Sequence, residues 1–461
     1  MPLTASSRRD FLSHGVRLTA AGSLMMAGMS SAARPDTPPV SSTPPPAVAH
    51  YQLLNVRLEE GFERDGAEIV ATRTALYDIT IKEGKFSAIQ AAGQARQPAL
   101  PQWDAGGALL LPRTRDMHIH LDKTFYGGPW QGKTIMDIIA REQVLIPQLL
   151  PTSQARAEAL IGLLQSKGST EARSHCNIDP VSGLQSLEHL QLALALALAL
   201  ALALALALAN HPAFRCEIVA FPQHGLLHSQ VDGLMREAMQ LGVQYVGGLD
   251  PTNVDGAMQA SLDAMFRIAL DYDRGVDIHL HETNAAGVAA IQYMIATIAR
   301  NPQLKGKVTL SHGFALATPE GKALDEIIAG MAEQQMSVAS TIPIGKLTMP
   351  LPQLQAAGVT VMTGTDSVID HWSPFGTGSM LEKANLYAQL YRGSDEFGLS
   401  RALHIATGGI LPLANSGERQ WPQLQDEASM MLVDASCSAE AVARIAPVRA
   451  TFQRGTPVFS A

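Results

Sequence analysis

Cysteine is scarce in this chain, with three residues among 461. Cys176, Cys216 and Cys437 are scattered and form no CxxC pair, so the sequence predicts neither a disulfide framework nor a cysteine metal site. Charge is also sparse: charged residues make up 16% of the chain, and the net charge of -8 comes without basic clusters. We therefore expect a small-molecule partner and no nucleic acid.

The first residues carry the pattern of an export signal. Residues 7–12 contain a twin-arginine pair followed by Phe11, residues 15–29 are weakly apolar, and residues 31–33 are small. We interpret residues 1–33 as a twin-arginine signal peptide and residues 34–50 as a Pro-rich linker. The prediction is a periplasmic or otherwise exported protein without stable membrane insertion after signal removal.

The remaining chain has the pattern of an α/β protein. Short alternating segments in residues 51–111 and 420–461 predict a small β-sandwich domain that is built from both chain ends. Between them, in residues 112–419, apolar strand-like runs alternate with helical patterns, which predicts a (β/α)8 TIM-like barrel. The eight candidate strands centre on Met117, His175, Val219, Val246, Ile278, Leu310, Val338 and Val361.

One low-complexity segment interrupts this order. Residues 192–209 alternate Leu and Ala, which are both apolar and strong helix formers, so we predict a helix. Its length of about 27 Å is close to a bilayer core. Its place between two barrel strands argues against a membrane span, and the pattern indicates no function.

Histidines and carboxylates follow several of the predicted strands. His118 and His120 are two residues apart, and residues i and i+2 of a strand point to the same side, so the pair can bind one cation. His175, His279 with Glu282, His312 and Asp366 stand at the ends of later strands. Because chemistry in barrels sits at the carboxyl ends of the strands, their joint placement indicates a metal hydrolase.

These residues occur in an ordered set of motifs at residues 116–125, 218–223, 279–282, 311–312, 364–367 and 372–376. In this set the chain resembles the amidohydrolase superfamily, and within it the cytosine deaminase-like branch. The resemblance implies one divalent metal ion, zinc or iron(II), held by His118, His120, His279 and Asp366. Such a site lowers the pKa of water toward neutrality and supplies hydroxide.

The resemblance also implies roles for the neighbouring side chains. Glu282 would be the proton shuttle, His312 would polarise the hydroxide, and Asp366 would act as a second proton acceptor as well as a ligand. An amide at Gln223 both donates and accepts, so it can bind the carbonyl and N–H of a lactam. The predicted substrate-binding residues are Gln223, His175, Ser367 and Trp372.

The expected activity is hydrolytic deamination of an amino-substituted heterocycle, such as a cytosine-like pyrimidine or a triazine. With Lys123 and Phe125 the chain resembles a sub-branch that includes aminotriazine hydrolases. Ser367 stands where the cytosine enzymes carry a second acidic residue. The substrate therefore need not be cytosine. Hydrolysis of a cyclic or linear amide is an alternative. A non-catalytic metal- or ligand-binding protein is a third hypothesis, and a homo-oligomer stays open.

Overall fold

The computed structural model describes residues 49–94, 96–125, 127, 130, 132–204 and 213–461. The predicted signal peptide, and the predicted linker up to residue 48, lie outside the described residues. In chain order the strands are β1 (His50–Asp65), β2 (Glu68–Lys82), β3 (Lys85–Ala91), β4 (Gln102–Asp104), β5 (Leu109–Pro112), β6 (Thr114–Ile119), β7 (Ser169–Asn177), β8 (Arg215–Phe221), β9 (Tyr245–Leu249), β10 (Gly275–Leu280), β11 (Val308–His312), β12 (Ser337–Ser340), β13 (Thr360–Thr363), β14 (Met430–Val433), β15 (Val448–Gln453) and β16 (Thr456–Ser460).

The α-helices lie mostly between the strands β6 to β14. They are α1 (Ile135–Leu149), α2 (Ser153–Ser166), α3 (Gln185–Leu204), α4 (Asp232–Gln240), α5 (Met258–Asp271), α6 (Ala285–Arg300), α7 (Gly321–Glu333), α8 (Leu351–Ala356), α9 (Met380–Leu390), α10 (Glu396–Ala402), α11 (His404–Thr407) and α12 (Ser438–Arg444).

Strands from both chain ends form one mixed sheet, in the order β16-β15-β14-β5-β1-β2-β3, with β4 beside β1. β5 lies between β1 and β14 and so joins the two ends. Leu110 of β5 packs in a cluster that includes Tyr51, Phe86 and Phe452, whereas Leu109 and Leu111 pack in the barrel core. Among the short segments predicted in residues 51–111, those at 69–72 and 77–81 are not separate strands, since both lie in β2. Residues 73–76 between them keep pairing with β1, because the backbone ladder does not require apolar side chains.

The second sheet is a barrel of eight parallel strands in sequence order, β6 to β13. Each predicted strand centre lies inside one of these strands, and a parallel bridge between Ile119 and Asp366 brings the last strand end back to the first. The prediction of a TIM-like barrel with a β-domain from both chain ends is confirmed. The helices α5, α6 and α7 each bury one face in the large core around the barrel strands.

The Leu-Ala segment lies in α3 as far as Leu204, and residues 205–209 lie outside the described residues. At the start of the segment Leu192 is exposed, whereas Ala193 is buried in the barrel core. Within the described ranges, the helices are all too short or too polar to cross a membrane.

Candidate metal centre

The predicted metal ligands meet at the carboxyl end of the barrel. His118 lies in β6, His120 follows that strand, and His279 lies in β10. Asp366 follows β13 and is held beside the histidine pair by two backbone hydrogen bonds: its N–H donates to the carbonyl of His118 (2.7 Å) and its carbonyl accepts from His120 (3.2 Å). Parallel strands therefore deliver all four side chains to one edge of the barrel.

Close backbone packing makes this approach possible. A Cβ at Gly364 would lie 2.4 Å from the backbone N and O of His118, so only glycine fits at this point of the crossing. Asp366 then adopts a φ of 66° and His312 a φ of 62°, in the left-handed region that residues other than glycine rarely occupy. The conformational cost at both residues is characteristic of functional sites.

The ligand atoms have the spacing that one small cation needs. The Nε2 atoms of His120 and His279 are 3.3 Å apart, and Asp366 Oδ1 lies 3.4 Å from Nε2 of both His118 and His120. Metal bonds of about 2.0–2.1 Å at angles of about 90–110° place neighbouring ligand atoms about 2.9–3.4 Å from one another. The residues present therefore fit one divalent ion, which would take water at a fifth position.

Hydrogen bonds behind the histidines fix which nitrogen faces the site. The Ser311 hydroxyl donates to Asp277 Oδ1 (2.5 Å), so its Oγ accepts from His118 Nδ1 (2.8 Å). His120 Nδ1 donates to the carbonyl of His175 (3.1 Å). With Nδ1 protonated in both rings, each Nε2 keeps its lone pair for a metal, which is the usual outer support of metal-binding histidines.

The protonation states agree with this role. Burial, with the charge of Lys123, lowers the pKa of His120 far below its ordinary value, and burial among the other histidines does the same for His279. Burial would raise the pKa of Asp366, but the neighbouring rings of His118, His120 and His312 hold it well below its usual range. The site thus offers the neutral rings of His120 and His279 beside an ionised carboxylate, and imidazole and carboxylate donors suit zinc or iron(II).

Glu282, the predicted proton shuttle, is buried, and in sequence it follows the metal-ligand candidate His279 by three residues. Its Oε1 accepts the backbone N–H groups of Thr252 and Asn253, both at 2.8 Å. Its Oε2 is buried and has no hydrogen-bond partner in the part of the chain that the structure describes. Burial raises the pKa of Glu282, against the lowering effect of the amide hydrogen bonds. The carboxyl group is therefore anchored through one oxygen and has the other available for a proton.

A small cavity of about 40 Å³ opens at the metal ligands. It brings together three of the predicted substrate-binding residues, Gln223, Ser367 and Trp372. Glu282 is not one of its lining residues. The lining consists of His120, Lys123, Gln223, His279, His281, His312, Asp366, Ser367 and Trp372.

His175, the fourth predicted substrate-binding residue, lies beside the metal-ligand histidines and not in the cavity lining. It is fully buried and does not line the cavity, and its Nε2 is 3.2 Å from Asp277 Oδ1. Its side chain instead groups with His118, His120 and His279, within metal-binding distance of one another. The resemblance implied a place beside the substrate, but the side chain points into the barrel interior and contacts the carboxylate of Asp277 there.

Two residues around the site, Asp250 and Glu142, are not among the residues predicted from the sequence. Asp250 receives the backbone N–H of His281 (2.6 Å) and lies 3.0 Å from its Nδ1, so it positions a cavity histidine; burial lowers the pKa of His281, but this hydrogen bond and charge raise it overall. Glu142 lies on the buried face of α1 between Ile139 and Ile146. A carboxylate in an apolar helix stripe was the available signal.

Comparison with known proteins agrees with this fold and site. A family model described as "Amidohydrolase family" matches residues 139–458. Uncharacterized protein YahJ of Escherichia coli (strain K12) is 56% identical over 471 residues, covering 99% of this chain and 98% of that protein. The crystal structure of N-isopropylammelide isopropylaminohydrolase from Burkholderia multivorans superposes with a TM-score of 0.74 at 28% identity, covering 89% of this chain and 98% of the other.

A third comparison concerns the fold alone. The structure of 5-methylcytosine deaminase from Klebsiella pneumoniae superposes with a TM-score of 0.70 at 22% identity, covering 89% of this chain and 97% of the other.

The fold and the site together define a metal-dependent hydrolase barrel, and the chain belongs to the amidohydrolase family. The predicted resemblance to its cytosine deaminase-like branch is confirmed, as is a hydrolase acting on carbon–nitrogen bonds other than peptide bonds.

Proposed function

We propose that this protein is a hydrolytic deaminase that displaces ammonia or an amine from an amino-substituted heterocycle. The observation that carries the proposal is the convergence of three histidines and one aspartate at the carboxyl end of the barrel, where Asp366 Oδ1 lies 3.4 Å from Nε2 of both His118 and His120 and the Nε2 atoms of His120 and His279 are 3.3 Å apart. The neighbouring cavity combines an amide, a hydroxyl and an indole, which suits a flat polar ring.

His118, His120, His279 and Asp366 would hold one divalent ion, zinc or iron(II). Such an ion supplies Lewis acidity, which lowers the pKa of water and makes a nucleophile available at neutral pH. Glu282 takes the proton of the attacking water on its second oxygen and returns it to the leaving nitrogen. Asp366 serves as a further proton acceptor.

The cavity side chains bind and orient the ring. Trp372 forms an apolar wall, Gln223 and Ser367 offer hydrogen bonds, and His312 contributes a neutral ring near the carboxylate, with its Nε2 3.9 Å from Asp366 Oδ2. Burial lowers the pKa of His312 well below its ordinary value, which keeps it neutral at pH 7. A neutral imidazole donates a hydrogen bond to a developing oxyanion without adding a second positive charge to the site.

The substrate class is an aminopyrimidine, aminotriazine or related ring. The Burkholderia relative, which is named for action on N-isopropylammelide, supports a triazine with a substituted amine. We also propose export by the twin-arginine route, for which the first 33 residues carry the pattern.

Ammonia and amine release from a metal-replete preparation tests the proposal. The substrates are a panel of aminopyrimidines, N-alkylated aminotriazines and pterins, with products identified by mass spectrometry. We expect loss of the exocyclic nitrogen and gain of oxygen at the same carbon. Ring-opened carboxylates would instead establish amide hydrolysis, and stable binding without turnover would establish a non-catalytic protein.

A further inference from the structure

The cavity wall contains a buried cation. Lys123 is 5% exposed, and its Nζ donates a hydrogen bond to Gln223 Oε1. The same Nζ lies 3.5 Å from Glu142 Oε1 and 5.3 Å from the centre of the Trp372 ring. Lys123 therefore links the amide of the cavity to a carboxylate outside its lining.

Glu142 is a buried carboxylate that several donors contact. It is 1% exposed and comes from α1, which begins after Thr134 in a capping box. Its Oε1 accepts from Asn177 Nδ2 and its Oε2 accepts from the indole Nε1 of Trp372, both at 3.0 Å. Burial would raise the pKa of Glu142, but the charge of Lys123 holds it below its ordinary value. Only a carboxylate accepts from three donors at once, because an amide would direct its own N–H groups toward one of them.

This arrangement sets the direction of the Gln223 amide. An ammonium group has three donors and no acceptor, so Gln223 must present Oε1 to Lys123. Its Nε2 is then the end of the amide that remains for a ligand. Lys123 and Gln223 thus contribute donors and positive charge to the cavity wall, and a ligand atom that binds there must be an acceptor.

We propose that Glu142 is a positioning residue that holds Lys123, and through it the Gln223 amide, in a donor-only arrangement that selects heterocycles bearing a ring carbonyl or its oxyanion. The inference rests on the proposed function and deepens it, since it defines the substrate as an oxo-substituted aminoheterocycle. An oxygen-free ring offers these two buried donors only ring nitrogens, which are weaker acceptors than an oxyanion and do not project from the ring as a carbonyl oxygen does.

The selectivity of ligand binding tests this role without requiring turnover. The affinity of the metal-replete protein is measured by calorimetry for uracil and cyanuric acid, which carry ring oxygens, and for pyrimidine and 1,3,5-triazine, which carry none. We expect wild type to prefer the oxygen-bearing rings. Glu142→Gln should weaken their binding by about 10- to 100-fold, the range for hydrogen bonds to charged groups, and should change the oxygen-free rings less than about twofold.

Two further variants separate positioning from a general loss of structure. Glu59 is another buried carboxylate, in β1 of the terminal sheet, and Glu59→Gln should leave both affinities unchanged. The double variant K123Q/E142Q removes both charges, so it should fold even where E142Q does not, and it should show the same loss of preference for oxygen-bearing rings. Retained preference in the double variant would overturn the inference.

The remaining outcomes distinguish this inference from the proposed function. If wild type prefers the oxygen-bearing rings and E142Q loses that preference, but no substrate of the panel is hydrolysed, the proposed function fails and the role of Glu142 stands. If aminoheterocycles are hydrolysed while E142Q keeps the preference, or if wild type shows no preference, the role of Glu142 fails. An equal loss of affinity for all four rings would indicate a collapsed Trp372 wall and would also overturn it.

Discussion

Replacing Glu282 by Gln gives the sharpest test of the catalytic assignment, because the structure separates its two oxygens. Oε1 is anchored by the amides of Thr252 and Asn253 at 2.8 Å each, and a glutamine oxygen can keep both hydrogen bonds. The change is confined to Oε2, which has no partner in the described part of the chain. Folding and metal content should therefore persist while the proton acceptor is lost.

The expected loss follows from the contribution of general acid–base catalysis. A positioned shuttle is worth about 10²–10⁴-fold in rate, so kcat should fall by that factor, or about 3–5 kcal/mol in activation free energy. Steady-state amine release measures kcat, and elemental analysis measures the metal content of the same preparation. Glu237→Gln, an exposed glutamate of α4, is the matched control and should match wild type. Unchanged turnover in E282Q with full metal content would refute the assignment.

The pH profile provides a second measurement on the same variant. Burial raises the pKa of Glu282, and the shuttle must begin as the deprotonated carboxylate to accept a proton. Activity should therefore rise with pH through a midpoint above about 4.5, the ordinary range of a glutamate, and fall as pH decreases below it. The same acid limb in the residual activity of E282Q would assign that limb to another group.

Three further predictions concern a hydrogen bond to a metal ligand, a buried ion pair of the barrel core and the predicted signal peptide. Ser311→Ala removes the outer hydrogen bond of a metal ligand and should weaken metal affinity by about 10- to 100-fold in a chelator titration; unaltered affinity would contradict this. Arg173→Met leaves Asp277, 2.9 Å away, buried without its cation, and should lower the free energy of unfolding by about 3–5 kcal/mol in chemical denaturation, whereas R173M/D277N should recover part of it. R8K/R9K should retain the uncleaved chain in the cytoplasm on fractionation, and normal export would remove the twin-arginine assignment.

The barrel could be predicted from the chain because its strands are short apolar runs that alternate with helical periodicity. That order constrains the sheet to be parallel, and parallel strands place their carboxyl ends at one edge. The positions of His118, His279 and Asp366 at strand ends could therefore be predicted from the sequence. The extent of β2 could not be predicted, because pairing with β1 continues through residues 73–76 without an apolar pattern.

Other features depend on contacts between distant parts of the sequence. The hydrogen bond from His118 to Ser311 spans 193 residues, and the contact from Lys123 to Gln223 spans 100. His175 follows the same strand-end pattern as the metal ligands, yet its Nε2 faces Asp277 inside the barrel. Sequence position gives the strand end of a residue, but the side-chain direction depends on neighbours that only folding supplies.

The sequence by itself determined the architecture, the family and the set of candidate ligands, because period, spacing and motif order are local properties of the chain. Only the tertiary structure decided which groups support that set: the tautomers fixed by Ser311 and Asp277, the anchored oxygen of Glu282, and the carboxylate of Glu142 behind Lys123. The physical reason is that hydrogen bonds and the protonation states of buried groups depend on the three-dimensional environment, which brings together residues far apart in the chain.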